Sequence, residues 1–104
     1  MDNILVLLGK KIASLRIANK LTQENLAELV NYSPNHISKL ELARTNPSFD
    51  LLLSIAHALN VEIKDLFSFD EYEDIDFIKK DFIKLIESSD LKKLKLLYKI
   101  FKVL

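Results

Sequence analysis

The chain is 104 residues long, 49% hydrophobic, with one glycine, two prolines and no cysteine. That is the length of a single domain with enough apolar content for a core, which argues against disorder, and the missing thiols exclude disulfides, thiolate metal sites and cysteine nucleophiles. Fifteen basic residues cancel fifteen acidic ones, so net charge gives no support to a nucleic-acid partner, but the charges are not evenly spread. Asp70, Glu71, Glu73, Asp74 and Asp76 form an acidic block, while Lys92, Lys93, Lys95, Lys99 and Lys102 form a basic one.

Near the start, Asn3–Leu8 is the longest apolar run. It is too short to span a bilayer and lacks a basic flank, so neither signal peptide nor membrane anchor is expected and the address is expected to be cytoplasmic. With so few helix breakers and no alternating valine-threonine runs, the fold class is all-α. A first helix over about 4–18 carries Leu5, Leu8, Ile12 and Leu15 at helical spacing, with Gly9 a modest weakness inside it. Asn19-Lys20 closes it, asparagine tolerating the left-handed backbone of a helix end. Thr22 caps a second helix with Leu26, Ala27 and Val30 on one face, and Asn31 takes a left-handed turn. Ser33 caps a third helix, 33–41, with Pro34 at its first position, where a missing N–H costs nothing. Ser48 caps a fourth helix through Leu59, whose stripe is Leu51, Leu52, Ile55, Ala56 and Leu59, with His57 on the stripe side. Val61, Ile63, Leu66 and Phe67 suggest a short fifth helix. Two more helices follow, about 71–87 and 91–103, the second capped by Asp90. The expected organisation is a domain over 1–69 and a helical hairpin over 70–104.

Two helices joined by a three- to four-residue turn need a small residue where their backbones approach, a left-handed residue at the corner and apolar anchors on both inner faces. Ala27 meets the first need and Asn31 the second. Leu26, Val30, Tyr32, Ile37 and Leu40 meet the third. Asn35, His36, Ser38 and Lys39 are then left as a polar face, which suits entry into a DNA major groove.

The segments "LGKKIASLR", "LTQENLAELV", "YSPNHISKLE", "RTNPSFDLLLSIAHALNV" and "IKDLF" together resemble the helix-turn-helix domain of phage repressor/Cro-like (XRE-type) transcriptional regulators over residues 8–67. Lys20, Asn31 and Ala43 stand where that family often has glycine, and nothing past Phe69 is covered. The resemblance implies that Gln23 touches a DNA phosphate and that Pro34, Asn35 and Lys39 reach base edges. Ser33, His36 and Ser38 join them as further contacts, and Arg44, Thr45 and Asn46 lie along the DNA backbone. Chemistry agrees: asparagine pairs bidentately with adenine, lysine donates to guanine, and proline packs on a thymine methyl. Bland alternatives stand beside these roles, with Gln23 assisting the helix start, Asn35 facing solvent and Lys39 a solvated charge. By the same resemblance Arg16 pairs with Glu41 as a structural clamp, a role that arginine's planar fork suits better than lysine.

The tail carries one apolar stripe of Ile75, Ile78, Phe82 and Leu85, widened by Tyr72, Phe77, Ile83 and Ile86. A second comprises Leu94, Leu97, Phe101 and Leu104. Helices apolar on more than one side must be covered on more than one side, by the first domain, by a second copy or by both. A homodimer is expected, with Ile75, Ile78, Phe82, Leu94, Leu97 and Phe101 at its interface; packing within the monomer is the competing arrangement. The leading function is a sequence-specific DNA-binding regulator, a repressor on a near-palindromic operator in double-stranded DNA. The alternative is an antitoxin or adaptor whose tail grips a partner protein. No enzyme is expected: there is no glycine-rich phosphate loop and no H-E-x-x-H, the 70–76 block lacks the glycine and spacing of a calcium loop, and neither cofactor nor metal is implied.

Overall fold

Capping side chains decide where the helices start. In the computed structural model, which describes residues 4–69 and 74–104, helix α1 runs over Ile4–Ala18 and α2 over Gln23–Val30. Ahead of α2, Thr22 Oγ1 accepts from the Asn25 amide at 3.0 Å and Asn25 Oδ1 accepts in return from the Thr22 amide at 3.0 Å. This reciprocal pair satisfies two donors that a bare helix end would leave open. Ser33 Oγ accepts from His36 N at 3.1 Å to start α3, Pro34–Glu41. Ser48 does the same for Leu51 N ahead of α4, Phe49–Ala58. The short fifth element is a 3₁₀ helix, Ile63–Phe67, rather than an α-helix.

Four helix ends share one device. Leu21 N donates to Arg16 O, Tyr32 N to Ala27 O, Arg44 N to Lys39 O and Val61 N to Ala56 O, at 2.8–3.1 Å. Each wraps around one residue with φ near 60°: Lys20, Asn31, Ala43 and Asn60. These endings normally favour glycine, because a Cβ is crowded in the left-handed region. The sequence puts asparagine's tolerance to use at Asn19; the structure gives the left-handed role to Lys20 instead. Asn19 Nδ2 donates to Leu15 O at 2.8 Å and to Leu59 O at 3.3 Å, joining the ends of α1 and α4.

The chain divides into two compact units, residues 1–69 and 70–104. In the first, α1 to α4 and the 3₁₀ helix enclose a core whose fully buried large side chains are Ile12, Leu26, Ile37, Leu40, Ile55, Leu59 and Leu66. Gly9 is not a weakness but a crossing point. A Cβ there would lie 2.6 Å from the carbonyl oxygen of Glu41 and 2.8 Å from that of Leu40. The backbone of α1 therefore rests directly on the last turn of α3. His57 departs from expectation too: it is exposed, beside Asn60, Glu62 and Asp65, because the α4 stripe turns Ile55, Ala56 and Leu59 inward and leaves it outside. Among the described residues no three His, Asp or Glu side chains converge as a metal site would require.

The second unit holds α5, Ile75–Ser88, and α6, Leu91–Val103. Asp74 Oδ1 accepts from Asp76 N at 2.9 Å and Asp90 Oδ1 from Lys93 N at 2.7 Å, setting both starts. Helix α5 begins later than the sequence suggests because Asp74 caps it; Asp70, Glu71, Tyr72 and Glu73 lie outside the described residues. Neither helix has a buried residue. Ile75, Ile78, Phe82, Leu94 and Phe101 are exposed and Leu97 is half-buried. Between the helices, Phe82 and Leu85 face Lys93 and Leu97 across an open groove floored by Ser88–Asp90. Among the described residues no helix is long and apolar enough to cross a membrane.

Candidate nucleic-acid interface

The corner between α2 and α3 is built from the residues that must come close there. Ala27 is 1% exposed, and the left-handed Asn31 (φ 62°, ψ 43°) reverses the chain immediately after α2. Leu26, Ile37 and Leu40 are fully buried, with Val30 nearly so, and pin the two helices together. Tyr32 is not one of these anchors. It stands 43% exposed, since the left-handed residue before it turns its side chain outward, and its ring lies 4.9 Å from that of His36.

With its apolar side spent on the core, α3 turns its remaining residues to solvent. Ser33, Pro34, Asn35 and Lys39 are exposed, while His36 and Ser38 are half-buried. Asn35 and Lys39 are four residues apart, so they lie one above the other on the same helical face. Beyond α3, Arg44 and Asn46 are exposed and Thr45 is half-buried. Within the described residues, the side chains of Asn35, Lys39 and Arg44 make no hydrogen bond or ion pair, so their donors are available to a partner. The Ser33 oxygen already accepts from the helix start, and its hydroxyl proton remains to donate.

Behind this edge lies a polar network. Arg16 Nε donates to Glu41 Oε2 at 2.7 Å, Arg16 Nη2 to Glu41 Oε1 at 3.1 Å, and Arg16 Nη1 to Leu21 O at 2.8 Å. The pair is largely shielded, its side chains 13% and 6% exposed. Gln23 Nε2 joins it, donating to Glu41 Oε1 at 2.9 Å. One carboxylate at the end of α3 thus gathers the end of α1 and the start of α2. The Arg16–Glu41 pairing is implied by the sequence resemblance. The Gln23 link and the Leu21 carbonyl contact have no local signal, because both depend on how three helices cross.

Comparison with known proteins gives a consistent picture. A family model described as helix-turn-helix matches residues 12–66. The immunity repressor protein of Bacillus phage phi105 is 38% identical over 55 residues, 53% of this chain but only 38% of the repressor. An uncharacterised HTH-type transcriptional regulator of Archaeoglobus fulgidus is 40% identical over 63 residues, which cover 61% of this chain and 89% of that protein. Among solved structures, PlcR of Bacillus thuringiensis in complex with the peptide PapR7 and DNA is 30% identical with a TM-score of 0.57, covering 93% of this chain and 33% of that one.

Proposed function

The chain belongs to the helix-turn-helix family of XRE-type transcriptional regulators, and from that premise we propose that it is a sequence-specific DNA-binding repressor. Helix α3 enters the major groove, with Pro34, Asn35 and Lys39 at base edges and Ser33, His36 and Ser38 beside them. Gln23, Arg44, Thr45 and Asn46 meet the phosphate backbone, which fixes register without reading sequence. The carrying observation is the outward polar edge of α3: Asn35 and Lys39 share one exposed face and have no partner among the described residues. The name of the phage relative supports repression, and the DNA in the PlcR complex supports the ligand. This reading assigns the chain no catalysis and a cytoplasmic address, where its operator would lie.

The second unit supplies dimerisation. Reading two half-sites about 34 Å apart calls for a two-fold assembly, and α5 and α6 are the helices without a fully buried residue. A second copy covering Ile75, Ile78, Phe82, Leu94, Leu97 and Phe101 would remove this apolar surface from water. The same exposed surface favours the other reading, an antitoxin or adaptor whose hairpin binds a different protein.

Selection of bound duplexes from a randomised pool, with sizing of the complex, tests the proposal. The expected product is an enriched, near-palindromic site carrying two chains. Anisotropy with random duplex at low salt separates the readings: absence of binding there, together with no enrichment, rejects DNA recognition in favour of the adaptor.

A further inference from the structure

The Gln23 side chain is half-buried and already holds a partner. A primary amide nitrogen carries two hydrogens. One is committed to Glu41 Oε1, which leaves the second, and the geometry of the first fixes where the second points. Glu41 can do this without placing a bare negative charge near DNA, because Arg16 grips both of its oxygens, at 2.7 and 3.1 Å. Arg16 is itself anchored to Leu21 O, immediately before the Thr22 cap of α2. The three side chains therefore form a bracket tied to the end of α1, the loop, the start of α2 and the end of α3.

We propose that Glu41 is a positioning residue for DNA backbone binding: with its charge offset by Arg16, its carboxylate holds the Gln23 amide so that the free Nε2 hydrogen is pre-aimed at a phosphate oxygen. The proposal rests on the DNA-binding reading above. Its physical content is preorganisation. A free glutamine must surrender its rotamer freedom when DNA arrives, whereas one already held by Glu41 has lost most of that freedom on folding. Glu41 touches no DNA in this scheme and acts only through Gln23.

The test is a double-mutant cycle on duplex affinity, with folding checked by thermal melting at the same time. Glu41→Ala is the first variant. Because it strands Arg16, a second variant combines Arg16→Met with Glu41→Leu, removing the pair as a unit and leaving an apolar replacement, which buried ion pairs often tolerate. Each is measured with Gln23 present and with Gln23→Ala, against the duplex recovered by selection. The expected loss of affinity is about threefold to tenfold when Gln23 is present, the value of one immobilised side chain, and under about twofold when it is absent. Nuclear magnetic resonance should show the Glu41-bonded Nε2 proton of Gln23 further downfield and exchanging more slowly with water in the native protein than in both variants.

Equal losses in the two backgrounds would make Glu41 purely structural and overturn the proposal. If Gln23→Ala leaves affinity untouched while the native protein binds DNA, the positioning role fails and the DNA-binding reading survives. If the native protein binds no duplex, both fall together.

Discussion

Replacing Gly9 with alanine sets two physical effects against each other. Inside a helix, alanine is better than glycine by about 0.8–1.0 kcal/mol, so propensity alone says that the variant should be more stable. The crossing of α1 over α3 reverses that sign. The new methyl would sit 2.6 Å from Glu41 O, 2.8 Å from Leu40 O and 3.0 Å from Glu41 C. All three are main-chain atoms, so no rotamer change relieves the clash; the helices must move apart. Overpacking of this kind costs about 1–3 kcal/mol, and this site belongs in the upper half of that range. Subtracting the propensity gain leaves a net loss of about 1–2 kcal/mol, or roughly 5–15 °C in Tm for a unit spanning residues 1–69. Thermal melting followed by circular dichroism measures it, with exposed Lys10→Ala as a control for substitution within α1. A Gly9→Ala protein that melts at or above the parent temperature would refute the reasoning, and would mean that α1 and α3 do not meet backbone to backbone.

Three further outcomes are expected. Ala43→Gly should stabilise the protein by about 1 kcal/mol, since Ala43 holds φ 60° at the end of α3 where an L-residue is crowded; thermal melts read the gain directly. Glu41→Ala should cost about 3 kcal/mol or more by stranding the shielded Arg16, whereas exposed Asn35→Ala should stay within about 0.5 kcal/mol and change base preference in a selection experiment; equal melting temperatures for the two would contradict this division. Arg44→Ala should weaken binding to all duplexes alike and reduce the slope of log affinity against log salt by about one, as measured by anisotropy over a salt series.

Much of the fold is legible in the sequence because helix starts are local. Thr22, Ser33, Ser48 and Asp90 are each the right residue one step before an apolar period, and each accepts from an amide in the first turn it precedes. The corner at Ala27 and Asn31 is readable for the same reason. Features that depend on two elements meeting are harder. Gly9 reads as a poor helix former until α3 is laid across it. Tyr32 counts as an anchor by hydrophobicity, but the backbone twist at Asn31 turns it outward. Lys20 and Ala43 show no glycine-like signal, although each ends its helix in the same left-handed conformation that asparagine tolerates at Asn31 and Asn60. Gln23 advertises that it opens α2 and, by resemblance, that it touches a phosphate, but nothing about Glu41. Its grip on Glu41 arises from the crossing of two helices, which brings together residues 18 apart in sequence.

Under the proposed dimerisation, the exposed apolar residues of α5 and α6 would have a consequence for dosage. Stability that comes from pairing rises with protomer concentration, so with a second copy as the cover for α5 and α6, scarce protein would stay single and grip one half-site weakly. Doubling the supply would then more than double the occupied operators, and the gene under control would switch over a narrower span of regulator abundance than an independently folded tail would allow.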